Sequence, residues 1–146
     1  MNFKEPGFLS PIAVEGKIPL RSDIFGDGHF GARRGGGTRR HKGLDIRADT
    51  GEPVLASKSG TVKTGWVRNG MGKYVRIGHR GNYYTIYGHL TKITVKDNQW
   101  AWQGDKIGEV GKTGNANHRG VQPHLHFGIR YKNKYLDPLK YLQAHQ

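Results

Sequence analysis

Pro123-His124-Leu125-His126-Phe127-Gly128-Ile129 alternates polar and apolar side chains. Read as a strand, it turns Leu125, Phe127 and Ile129 toward a core. His124 and His126 then stand side by side on the opposite face, their Cα atoms roughly 6.6 Å apart. Two imidazoles entering one volume can hold a metal ion together, or one can hold it while the other handles a proton of a bound water. The same spacing suits two surface histidines on a half-buried strand, so further ligands must come from elsewhere in the chain.

His41-Lys42-Gly43-Leu44-Asp45 offers one imidazole and one carboxylate, both suited to zinc. On a straight strand their Cα atoms stand about 13 Å apart, too far to share one ion. A metal site therefore demands a bend, and Gly43 is placed to allow it. A surface histidine and a strand aspartate demand no bend. His89 ends the aromatic run Tyr84-Thr85-Ile86-Tyr87-Gly88, where a single imidazole is commonly packed or hydrogen-bonded. His29, His79, His118 and His145 lie in loops, a turn or the tail, and are expected to be non-ligands.

The elements that must position these residues are strands. Leu44, Ile46 and Ala48 alternate with Asp45, Arg47 and Asp49. Short runs follow at Pro53–Ala56, Gly60–Val62, Tyr74–Ile77, Tyr83–Tyr87 and Lys106–Val110. His79-Arg80-Gly81-Asn82 reads as a hairpin turn, and Asp137–Leu142 as a short helical turn. The 146 residues make one domain, whose 23 scattered glycines suit turns rather than long helices. An all-β, mainly antiparallel domain is expected, with loops near 27–40, 64–72 and 113–122 walling a groove. Residues 1–23, punctuated by Pro6, Pro11 and Pro19, read as an arm packed on the domain formed by 24–146. The Arg/Gly-rich segment 26–40 reads as a mobile basic loop without means of packing.

The chain has no cysteine, so a tight metal site must use His, Asp or Glu. The formal charge of +13 favours anionic partners: nucleic acid, anionic membranes or envelope polymers. No apolar run approaches the length of a membrane span, and no signal peptide is visible at the N-terminus.

Together the segments resemble the lysostaphin-type, or LytM-like, zinc endopeptidases that hydrolyse peptidoglycan. The resemblance runs from about Ile24 to Leu142. It rests on Phe25-Gly26, His41-Lys42-Gly43-Leu44-Asp45-Ile46, Gly51-Glu52-Pro53-Val54, Gly72-Lys73-Tyr74-Val75, Tyr87-Gly88-His89-Leu90, Gly111-Lys112-Thr113-Gly114, Pro123-His124-Leu125-His126-Phe127 and Asp137-Pro138. It implies a LytM-like β domain of the duplicated hybrid motif type. It also implies one Zn2+ held by His41, Asp45 and His126, with His89 and His124 acting on the attacking water and the developing charge. Gly128 stands where the family often has Glu, and Asn115–Gln122 is longer than the family's usual link before Pro-His-Leu-His. No HExxH motif is present, so a histidine takes the place of the usual glutamate base.

The function this implies is a zinc-dependent endopeptidase of peptidoglycan stems or crosslinks, a monomer working in the periplasm, outside the cell or after phage delivery. Anionic envelope polymers are expected partners. Two other classes compete: a wall-binding or regulatory relative without turnover, and a basic nucleic-acid-binding β domain. The first is disfavoured because all five His and Asp positions are present. The second leaves the spaced His and Asp motifs unexplained.

Overall fold

In the computed structural model of the chain, residues 7–143 are described; His145 lies outside them. Nine strands form one sheet: β1 (Leu44–Arg47), β2 (Pro53–Leu55), β3 (Gly60–Val67), β4 (Gly72–Gly78), β5 (Tyr83–Ile93), β6 (Trp100–Ala101), β7 (Lys106–Val110), β8 (His124–Tyr131) and β9 (Lys134–Leu136). Neighbours run β6-β3-β4-β5-β7-β2, while β8 pairs with β5, β1 and β9, every contact antiparallel. The described residues contain only short 3-10 turns besides strands; one, Pro138–Lys140, is the turn expected near the end, capped by the Asp137 carboxylate on the Leu139 N–H.

Period-two alternation explains the sheet. Leu44, Ile46, Val62, Val75, Ile77, Tyr87, Leu125, Phe127 and Ile129 are fully buried in one core. Truncating one of these large side chains costs about 2–5 kcal/mol, because transfer free energy and a residual cavity add. Phe8 and Ile12, from the segment before β1, enter the same core, and Phe8–Leu9 pairs in parallel with Leu142–Gln143. The β4–β5 connection is the expected hairpin: Gly81 and Asn82 both take positive φ, at 77° and 68°, as a tight hairpin turn requires.

Segment 26–40 departs from the expectation of an unpacked loop. It folds as two small hairpins, Ser22–Asp23 with Gly26–Asp27 and Arg33–Arg34 with Arg39–Arg40. Backbone bonds stitch it to its surroundings: Asp45 N–H of β1 to Gly28 O at 2.8 Å, Gly28 N–H to Arg21 O at 2.8 Å and His41 N–H to Ala32 O at 2.8 Å. A Cβ on Gly28 would stand 2.5 Å from Asp45 O, so only glycine permits this approach. Its lack of apolar periodicity hid the segment's packing, which runs through the main chain and the Arg34–Asp45 pair.

Candidate active site

The register of β8 sets the site. His126 lies opposite Asp45 of β1 on one side and Gly88 of β5 on the other. Strand β1 begins only at Leu44, after a bend at Gly43, and the bend brings His41 Nε2 to 3.1 Å from Asp45 Oδ1. The His126 ring lies directly on Gly43, where a Cβ would meet Phe127 O at 2.7 Å and His126 Cε1 at 2.8 Å. Glycine is therefore needed for the room beside the ring.

His41 Nε2, Asp45 Oδ1 and His126 Nδ1 converge. The imidazole nitrogens lie 3.3 Å apart, and His126 Nδ1 is 3.1 Å from Asp45 Oδ1. His41 Nδ1 donates to the His29 carbonyl at 3.1 Å, which leaves Nε2 of a neutral ring with its lone pair. A bare nitrogen and a carboxylate oxygen thus face each other, with only the His126 Nδ1 proton available between them. Acceptors crowded in this way suit a cation, and the three donor atoms lie within 4.8 Å of one another. Two nitrogens and one oxygen are a donor set appropriate to zinc, and three protein ligands are the number found in catalytic zinc sites.

Asp45 is oriented by two arginines. Arg21 Nη1 and Arg34 Nη2 both donate to Oδ2, at 3.0 and 3.2 Å, which turns Oδ1 toward the histidines. Burial works to raise the Asp45 carboxyl, but the hydrogen bond from His126 outweighs it and holds it well below the usual carboxylate range. Arg21 is itself fixed by paired bonds to Asp23, 2.9 and 3.1 Å long. Burial tends to raise the Asp23 carboxyl too, but Arg21 and the N–H groups of Gln122 and Phe25 hold it at about 2.

His89 and His124 form a second pair, with ring centroids 5.0 Å apart. His124 Nδ1 donates to the Gln122 carbonyl at 2.7 Å, and His89 Nδ1 to the Thr113 carbonyl at 2.8 Å. Both bonds fix the tautomer with Nε2 unprotonated. His124 is 1% exposed, and its Nε2, 3.8 Å from Asp45 Oδ2, has no hydrogen-bond partner among the described residues. Burial, with His126 and His124 nearby, pushes the His89 imidazole down to about 3, and burial lowers His124 as well. His89 has φ of 62° at a register break in β5, and its N–H donates to Met71 O at 2.6 Å. A left-handed non-glycine residue at a strand irregularity re-aims a side chain, here toward the groove.

The five candidate residues therefore meet in one groove. A 450 Å3 cleft over His41, Asp45 and His126 is walled by Arg34, Arg39 and Arg40 of the basic hairpin and by Gly70 and Met71 of the β3–β4 turn. A 220 Å3 cleft beside His89 and His124 is lined by Phe25, Ala116, His118 and Val121. Of the other histidines, His118 stacks on Phe25, His79 bonds Ser59 O and Thr85 Oγ1, and His29 contributes only its carbonyl to the His41 ring. Sequence reading missed Arg21 and Arg34. Their one sequence signal is the excess of cations upstream of His41, which marks no particular arginine.

Residues 39–138 match the family described as Peptidase family M23. Murein hydrolase activator NlpD of Salmonella dublin is 36% identical over 115 residues, which are 78% of this chain and 28% of that protein. The chain thus spans little more than a quarter of that curated relative. A zinc-containing peptidase from Vibrio cholerae superposes with a TM-score of 0.73 at 28% identity, covering 97% of this chain and 41% of that one. The catalytic domain of lysostaphin, an antimicrobial peptidase of Staphylococcus simulans, gives 0.66 at 29% identity over 82% of this chain and 90% of that domain. The all-β architecture and the match across most of the sheet agree: the chain belongs to peptidase family M23.

Proposed function

We propose that the chain is a zinc-dependent endopeptidase that hydrolyses peptide bonds in bacterial peptidoglycan. The observation that carries this reading is one groove in which three converging donors, from His41, Asp45 and His126, stand beside two imidazoles whose Nε2 atoms are bare. His41 Nε2, Asp45 Oδ1 and His126 Nδ1 would hold the ion. When bound there, zinc supplies a Lewis acid that polarises the scissile carbonyl and acidifies water.

The chain's own residues supply the rest. The Gln122 and Thr113 carbonyls lock His124 and His89 with Nε2 toward the groove, and burial keeps both rings neutral near pH 7. Either Nε2 can accept a proton from a water attacking the carbonyl. The Nε2–H so formed can donate to the developing oxyanion or the departing amine. Arg21 and Arg34 act through Asp45, holding its Oδ1 in position. Work in the cell envelope fits the relative named for activating murein hydrolases, and the net charge of +13 suits docking on anionic wall polymers. No helix among the described residues is long and apolar enough to cross a membrane.

The relative named a murein hydrolase activator supports a second reading, in which the chain stimulates another hydrolase. One experiment separates them. Zinc-loaded protein is incubated with purified peptidoglycan, and released fragments are identified by mass spectrometry, with and without chelator. New peptide termini that need zinc are expected. Release seen only after a separate murein hydrolase is added would replace the endopeptidase reading with the activator one.

A further inference from the structure

The groove continues past the histidines along the sheet. Moving down β8 from His126, the next residues on the same face are Gly128 and Arg130, paired across β5 with Ile86 and Tyr84. Arg76 of β4 sits beside Ile86, and Tyr135 of β9 beside Arg130. Arg130, Ile86, Tyr84, Arg76 and Tyr135 line a 660 Å3 cavity that shares Met71 with the cleft over His41, Asp45 and His126, and Gly128 is buried beside them.

The cavity's charge is one-sided. Arg76, Arg130 and Lys132 line it, and no carboxylate does. Aromatic faces hold the guanidiniums in place: Arg76 lies 5.1 Å from the Tyr84 ring centre and Arg130 5.4 Å from that of Tyr135. Arg130 spends Nη2 on Asn133 Oδ1 at 3.2 Å, but its buried Nε has no hydrogen-bond partner among the described residues. Gly128, between His126 and Arg130 on the same face of β8, has room for a side chain: a Cβ there would meet only Lys42 O at 3.7 Å and Ile86 Cβ at 3.9 Å. A guanidinium fork held on an aromatic face, with two further cations around the same cavity, suits a carboxylate.

We infer that this cavity binds a free carboxylate of the peptide being cut, making Arg130, aided by Arg76 and Lys132, a specificity determinant. The identity of the occupant rests on the endopeptidase reading. From His126 to Arg130 the strand advances about 13 Å, so the carboxylate lies roughly four extended residues from the scissile bond. One observation favours a peptide: the cavity adjoins the cleft that would receive the bond, with Met71 in the wall of both.

The test uses the zinc-loaded full chain and two synthetic peptides with a reduced, uncleavable central bond. One carries Asp at the fourth residue from that bond and the other Asn, with each flank tried in turn. Calorimetric titration of the wild type should show the Asp peptide bound about 10-fold or more tighter on one flank, the scale of a hydrogen bond to a charged group. Arg130→Gln should bring the ratio to within about twofold. Gly128→Glu, which puts a like charge beside the ligand, should do the same or reverse it. No preference in the wild type, or a preference unchanged in both variants, overturns the inference. A phosphate polymer bound more tightly than the Asp peptide, and weakened by the same variants, would show the occupant to be wrong. Cleavage of the natural-bond peptides is followed separately. A retained Asp preference with no cleavage sinks the endopeptidase reading and leaves the carboxylate site standing.

Discussion

In the corner made by His41, Asp45 and His126, donor atoms crowd to within 3.1–3.3 Å of one another. In the adjoining corner, His89 and His124 stand ring to ring at 5.0 Å, and each spends Nδ1 on a main-chain carbonyl. The first arrangement concentrates electron density where a cation can gather it. The second keeps two bases apart and neutral. His124 and His126 are separated by one residue on one strand, so neither residue type nor spacing makes the difference. It comes from what each ring meets: a carboxylate on β1 for His126, and a carbonyl two residues back for His124.

The largest effect expected from breaking this contrast is at His126. His126→Ala leaves two protein donors, so zinc content and fragment release should both fall to background. Metal analysis beside the release assay would show it, and retained zinc would contradict the role given to His126. His124→Ala and His89→Ala come next. Each should keep the ion while turnover falls about 100-fold or more, the scale of a lost proton-transfer group or oxyanion donor. If His124→Ala loses zinc and His126→Ala keeps it, the two corners have been assigned in reverse.

A smaller effect follows from filling the space that lets the first corner close. Gly43→Ala sets a Cβ against Phe127 O and His126 Cε1, so strand or ring must shift. Stability should drop about 1–3 kcal/mol, as overpacking does, and zinc affinity with it. Thermal unfolding with and without metal would separate the two losses, and a variant equal to wild type in both would remove the steric argument.

The smallest expected effect lies behind the corner, at Asp23. Its folded pKa of about 2 lies below the ordinary value of 3.8. Its contribution to stability is therefore present above pH 4 and is lost as pH falls toward 2. Asp23→Asn should be less stable than wild type at pH 6, with the gap closing between pH 4 and 2. Denaturant titrations across that range measure it, and a gap independent of pH would rule out ionised Asp23 as its source.

Local alternation made much of this legible. The two-residue period of 124–129 foretold which side chains enter the core. The reach from His41 to Asp45 required a bend, and it occurs at Gly43. The turn at 79–82 followed from its glycine and asparagine. What escaped was contact between parts distant in sequence. Arg21 and Arg34 meet at Asp45 across 24 and 11 residues, and arginine is so common in this stretch that its types alone select no pair. His89 carried no local mark of its left-handed backbone. The packing of 26–40 was invisible because main-chain bonds and the Arg34–Asp45 pair, which no apolar pattern reports, hold it in place.

The arginine clamp on Asp45 bears on the order in which the protein is assembled. A buried carboxylate without a partner is costly, and a corner that relied on its ion for charge balance would come apart in a metal-poor compartment. Here Arg21 and Arg34 already balance Asp45. Folding and metal loading are thereby uncoupled: under the proposed zinc reading, the chain would be made and delivered dormant, and hydrolysis would begin only where zinc is supplied.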